Sequence, residues 1–108
     1  MLVDEQGVIT MQDKSIHVQV VSSRGYDDVV LDIMVKDLRD YAIIARHIMV
    51  NSICISTGAD LEDNRLHIEE HLYKARMNDS SVFIIEGAEG KEYTVYLRQY
   101  QEVEKEED

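Results

Sequence analysis

The sequence predicts an α+β fold: a small two-layer domain with a mostly antiparallel sheet of about five strands packed on two helices, in the order β-β-β-α-α-β-β. Three observations carry this. Apolar residues alternate with polar ones over 16–21, 29–35 and 93–100, the period of a half-buried strand. They recur at helical spacing over 37–56 and 60–77. The two helical stretches follow one another between runs of strands, which favours an antiparallel sheet over alternating β-α-β units.

Taken in order, Gly7–Met11 reads as a short strand. Gln12–Ser15 is a turn, and Ile16, Val18 and Val20 form one face of the strand that completes a hairpin, with His17 and Gln19 on the other. Residues 22–28 form a loop. A third strand follows, with Val29, Leu31, Ile33 and Val35 inward and Asp32 and Met34 outward. The first helix spans Asp37–Ser56. Leu38, Tyr41, Ile44, Ala45, Ile48, Met49, Ser52 and Ile55 make its wide face, to be docked on the sheet, and Ile43, Val50 and Cys54 a second stripe. Thr57–Asp60 breaks the chain, with Asp60 as N-cap of the second helix and Glu62 and Asp63 in its first turn. That helix buries Leu61, Ile68, Leu72 and Ala75 and leaves a spare stripe of Leu66, Tyr73 and Met77. Val82–Ile85 is a buried strand, Gly87 and Gly90 mark a hairpin loop, and the last strand alternates Tyr93, Val95 and Leu97 against Thr94, Tyr96, Arg98 and Tyr100. Residues 1–101 read as one domain, and 102–108 as an acidic tail with too little to bury to stay ordered.

Charge narrows the function. The chain of 108 residues holds 22 acidic and 11 basic residues, a net −11. Residues 1–54 hold 8 acids and 5 bases, net −3, and residues 55–108 hold 14 acids and 6 bases, net −8. Such a field repels nucleic acid and anionic membranes and attracts basic protein surfaces. A single cysteine, Cys54, excludes a disulfide framework, and the N-terminal residues lack the pattern of a signal peptide, so the expected address is the cytoplasm.

One motif bears on chemistry. His67-Ile68-Glu69-Glu70-His71 reads H-x-x-E-H, the inverted zincin pattern, in which two histidines a helical turn apart grip zinc and Glu70 would stand as general base. The third ligand that the mechanism needs is expected on a later helix, and none follows. Glu86, Glu89 and Glu92 in a loop are poor substitutes. The plainer reading is a solvated helix face, with no catalytic residue and no cofactor, zinc being the one candidate. Cys54 and His47 lie two helical turns apart, too far for a nucleophile–base pair, which leaves Cys54 a small buried hydrophobe. Gly87-Ala88-Glu89-Gly90 is a turn without the basic flanks of a nucleic-acid clamp, and of the tyrosine-rich last strand only Arg98 offers a cation for base stacking.

These residues point to a non-enzymatic acidic interaction module, an inhibitor or regulator that binds a basic protein surface. In its sharper form it mimics nucleic-acid charge and occupies a nucleic-acid-binding protein. The expected contact residues are Asp60, Glu62, Asp63, Leu66, Glu69, Glu70, Tyr73 and Met77. The alternatives are a metal-binding or metal-dependent protein built on His67 and His71, and a homodimeric structural or accessory subunit using a spare helix stripe.

Overall fold

The structure, a computed structural model, describes residues 13–23, 28–36 and 42–102. The expected α+β class holds. Strands β1 (Asp13–Ser22) and β2 (Val29–Lys36) precede helices α1 (Ala42–Thr57) and α2 (Leu61–Asn78), and strands β3 (Ser80–Glu86) and β4 (Glu92–Glu102) follow, joined by a short 3-10 turn at Ala88–Gly90. Among the described residues four strands form one antiparallel sheet in the order β2-β1-β4-β3. The strand expected at Gly7–Met11, the start of the first helix at 37–41 and residues 103–108 of the expected tail lie outside the described residues, whereas Glu102, expected to open that tail, ends β4 opposite Asp13.

Alternation decides the sheet's two faces. Ile16, Val18 and Val20 of β1 are fully buried. On one side Val18 stands opposite Ile33 of β2, and on the other opposite Leu97 of β4. Phe83 and Ile85 of β3 continue that inner face beside Val95 and Tyr93. A one-residue slip would turn every one of these side chains to water, so the buried face fixes the register. The expected inward set of β2 holds less well at its start: Val35 is buried, Leu31 and Ile33 partly so, and Val29 is exposed beside an irregularity in the ladder after Val20.

Both helices lie against the inner face and share its core. In α1 the buried residues are Ala45, Met49, Val50, Ile53, Cys54 and Thr57. This corrects the wide face expected from the sequence, because Ile44, Ile48 and Ile55 are exposed and Ser52 only half-buried. It also resolves the second stripe. Val50 and Cys54 are core, and Ile43 alone of that stripe faces solvent. The burial of Val50 and Cys54 inside one chain removes them as a dimer interface. In α2 Ile68, Leu72 and Ala75 are buried as expected, whereas Leu61 is exposed at the first turn.

The junction between the helices is tight. The Gly58 N–H donates to the Cys54 carbonyl at 2.8 Å, with Gly58 in the left-handed conformation (φ 79°) that ends many helices. Thr57 Oγ1 donates to the Ile53 carbonyl at 2.8 Å and accepts the Ala59 N–H at 3.2 Å. Asp60 caps α2 as expected, accepting the Asp63 N–H at 3.0 Å. The β3–β4 turn packs directly onto this junction. A Cβ added to Gly87 would lie 2.1 Å from the Thr57 carbonyl oxygen, so only glycine permits the approach.

Candidate functional site

The contact residues expected from the sequence all lie on or just before α2, and the helix sorts them. At about 100° per residue, Leu66, Tyr73 and Met77 fall within a wedge of about 40°. Their relative exposures are 72, 62 and 63%. Glu62 and Glu69 flank the wedge on one side and Glu70 and Asp63 on the other, each about 40–60° from its centre. The result is an apolar stripe with acidic margins, about three turns long.

Not every acid is free to act there. Asp60 is engaged in capping the helix. Glu69 is half-buried and turned toward α1, where its Oε2 lies 3.7 Å from Arg46 Nε. Glu70 stands 3.9 Å from Lys74 one turn on, a loose exposed pair of the kind worth a few tenths of a kcal/mol. Glu62, Asp63 and Glu70 remain exposed beside the stripe. Sequence reasoning missed the exposed isoleucines of α1, Ile44, Ile48 and Ile55. The signal lay in Val50, Ile53 and Cys54, which define a competing apolar face.

The H-x-x-E-H segment falls on the flank of α2 that borders β3. His67 is exposed, but His71 is not the solvated side chain expected. Its ring stacks on Phe83 at 4.2 Å between centroids, with planes 11° apart, and its Nδ1 lies 2.7 Å from Ser81 Oγ. His67 meets both rings edge-on, 4.9 Å from His71 and 5.2 Å from Phe83. Among the described residues no group of three or more His, Cys, Asp or Glu side chains is placed to hold a metal. Glu89 sits in the turn that packs on Gly58, before α2 begins and more than two helical turns ahead of His71.

Burial, and then the positive charges of His67 and Lys74, push His71 below its ordinary value of 6.5, against a smaller opposing effect of Glu70. The folded state thus holds this ring neutral while the unfolded chain accepts the proton first. The contribution to stability is complete above about 6.5 and is lost as the pH falls from there through the lowered folded value. In chelator-containing buffer, the unfolding midpoint in urea is expected to drop more steeply below pH 6.5 for the wild type than for His71→Gln. Equal slopes would show that the ring is not held neutral.

Cys54 is buried, and its thiol is raised by burial and then by the charge of Asp60, which suits a core side chain and not a nucleophile. The sheet's outer face, away from the helices, carries a small polar cluster. His17 Nε2 lies 2.6 Å from Asp32 Oδ1 and Gln19 donates to Asp32 Oδ2 at 3.4 Å, with the Tyr100 ring 6.0 Å from that of His17. Met34, Val82, Ile84, Tyr96 and Tyr100 lie exposed on the same face. Among the described residues no helix is long and apolar enough to cross a membrane.

Comparison of the chain with protein-family models, with curated proteins and with solved structures returned no match.

Proposed function

We propose that the domain is a non-enzymatic protein-interaction module, an inhibitor or regulator whose α2 surface binds a partner that is both apolar and basic. The observation that carries this reading is the acid-margined stripe of Leu66, Tyr73 and Met77, three large side chains more than 60% exposed on one line. Single exposed apolar residues are ordinary, but an aligned set with a charged border marks an interaction surface. Tyr73 suits the centre of such an interface, since a rigid aromatic ring buries much area for little conformational entropy. Glu62, Asp63 and Glu70 would set the partner's sign, and the net −8 of residues 55–108 would speed its approach. A nucleic-acid-binding protein is one partner of this chemistry, and the acidic surface would then occupy its basic groove.

The test uses the full chain and an 18-residue Lys/Leu amphipathic helical peptide as a defined probe, read by fluorescence anisotropy. Binding is expected to weaken as salt rises and to fall at least tenfold in both Tyr73→Asp and the charge reversal Glu62→Lys/Glu70→Lys. Binding indifferent to salt and to both variants would sink the reading. Duplex DNA added to the protein alone is expected to leave the anisotropy of labelled DNA unchanged. A second reading, a homo-oligomeric subunit, is favoured by the exposure of Ile44, Ile48 and Ile55 on α1. Light scattering of the same preparation tests it through a concentration-dependent mass that Ile48→Asp abolishes.

A further inference from the structure

We propose that His67 and His71 form an open two-histidine site for a divalent transition-metal ion of the copper, nickel or zinc class. The proposal is independent of the stripe, because these residues leave α2 on its other flank. Spacing comes first. Histidines at i and i+4 stand one above the other on a helix, and here the ring centroids are 4.9 Å apart with planes 83° apart. Two imidazoles sharing one ion, with metal–nitrogen bonds of about 2.0–2.1 Å and an angle between tetrahedral and square at the metal, put their ring centres about 4.5–5.3 Å apart.

Orientation comes second. His71 is held by two contacts of different kinds, the Phe83 stack and the Ser81 hydroxyl at 2.7 Å from Nδ1. When Nδ1–H donates to that hydroxyl, Nε2 keeps its lone pair for a metal. Metal-binding histidines depend on such an outer partner to fix the ring. His67, by contrast, is exposed and can adjust.

Softness selects the ion. Imidazole suits copper, nickel and zinc, and two such donors with no third among the described residues leave coordination positions for water or for a donor from a bound partner. A hard cation such as magnesium or calcium would gain little from these nitrogens. This is a site that clamps one turn of α2 or bridges to another molecule, and not one that carries out hydrolysis.

The experiment titrates the full chain, free of any added polyhistidine segment, with copper(II), nickel(II) and zinc(II) chlorides in non-chelating buffer by calorimetry. One equivalent is expected to bind, with copper tightest. His67→Ala and His71→Gln should each lower the affinity at least tenfold, and Ser81→Ala about tenfold, the usual loss when an outer partner of a ligand is removed. Calcium should not bind there. Circular dichroism establishes that each variant is folded. Because His67 is exposed, His67→Ala decides the matter should His71→Gln unfold. Nickel-induced broadening of histidine ring signals in nuclear magnetic resonance should strike His67 and His71 before His17 and His47. Absence of binding at millimolar metal, or equal affinity in wild type and His67→Ala, overturns the proposal.

Discussion

Gly87→Ala is expected to be the most damaging single-methyl change in the domain, at about 3 kcal/mol or more, the upper end of overpacking costs. The added Cβ would sit 2.1 Å from the Thr57 carbonyl oxygen and 2.9 Å from Cε1 of Tyr93. The first obstacle is backbone at the end of α1, so no side chain can rotate out of the way. Relief requires the β3–β4 turn to lift off the helix junction, which it meets closely at a second point as well, since a Cβ built on Gly58 would lie 2.7 Å from the Ala88 Cβ. The control is Gly90→Ala. Gly90 has a left-handed φ of 73° but only Glu86 Oε2 at 3.6 Å nearby, so its cost is conformational, about 1 kcal/mol. Urea unfolding of the three proteins checks both numbers. Similar midpoints for the two variants would mean that the turn yields easily and that the junction is loose.

The second large effect separates two isoleucines two positions apart. Ile53→Ala is expected to cost about 2–5 kcal/mol, since Ile53 is fully buried between α1 and the sheet and its loss leaves a cavity. Ile55→Ala is expected to stay within about 0.5 kcal/mol, because Ile55 is 81% exposed. For a small domain whose whole stability is about 5–15 kcal/mol, the first change threatens folding at 37 °C and the second does not. Thermal unfolding of the two variants beside wild type reads the difference directly. An Ile55→Ala loss as large as that of Ile53→Ala would mean that another surface covers α1 in solution.

The same pair explains how far the sequence is legible. Strand alternation exposes the buried face of β1 and β4 without ambiguity, because Ile16, Val18 and Val20 have only polar or outward neighbours between them. The second helix is nearly as clear. Its N-cap Asp60 and its core residues Ile68, Leu72 and Ala75 are all visible in the pattern, since charged residues fill most of its surface. The first helix is different. Isoleucine, valine and methionine run around most of its circumference, and periodicity then supports two faces equally well. What buries Val50 and Ile53 while leaving Ile44, Ile48 and Ile55 exposed is the way the helix docks on the sheet and on α2. That information is tertiary. The position of His71 is hidden for a related reason. On its own helix it belongs to a charged surface, and only the arrival of Ser81 and Phe83 from β3 converts it to a packed ring.

The acidic stripe was legible as composition and spacing, but not in its division of labour. Asp60 and Glu69 look equivalent to Glu62 and Glu70 along the sequence. The capping hydrogen bond of Asp60 and the inward turn of Glu69 toward Arg46 depend on where the first helix lies.

The pairing of β1 with β4, from Asp13 opposite Glu102 to Ser22 opposite Tyr93, has a consequence for how the protein is made. These two strands are the centre of the sheet, yet they are separated by nearly the whole described span. During synthesis the β1–β2 hairpin and both helices leave the ribosome while the strand between β1 and β3 is still missing. Ile16, Val18 and Val20 then have a neighbouring strand on one side only, and β3 has none on the side where β4 will lie. Closing so long a loop is slow compared with forming a hairpin or a helix turn. Until residues 92–102 emerge, the nascent chain is an open-edged, apolar intermediate, the state in which chaperones and strand-to-strand misassociation compete for it.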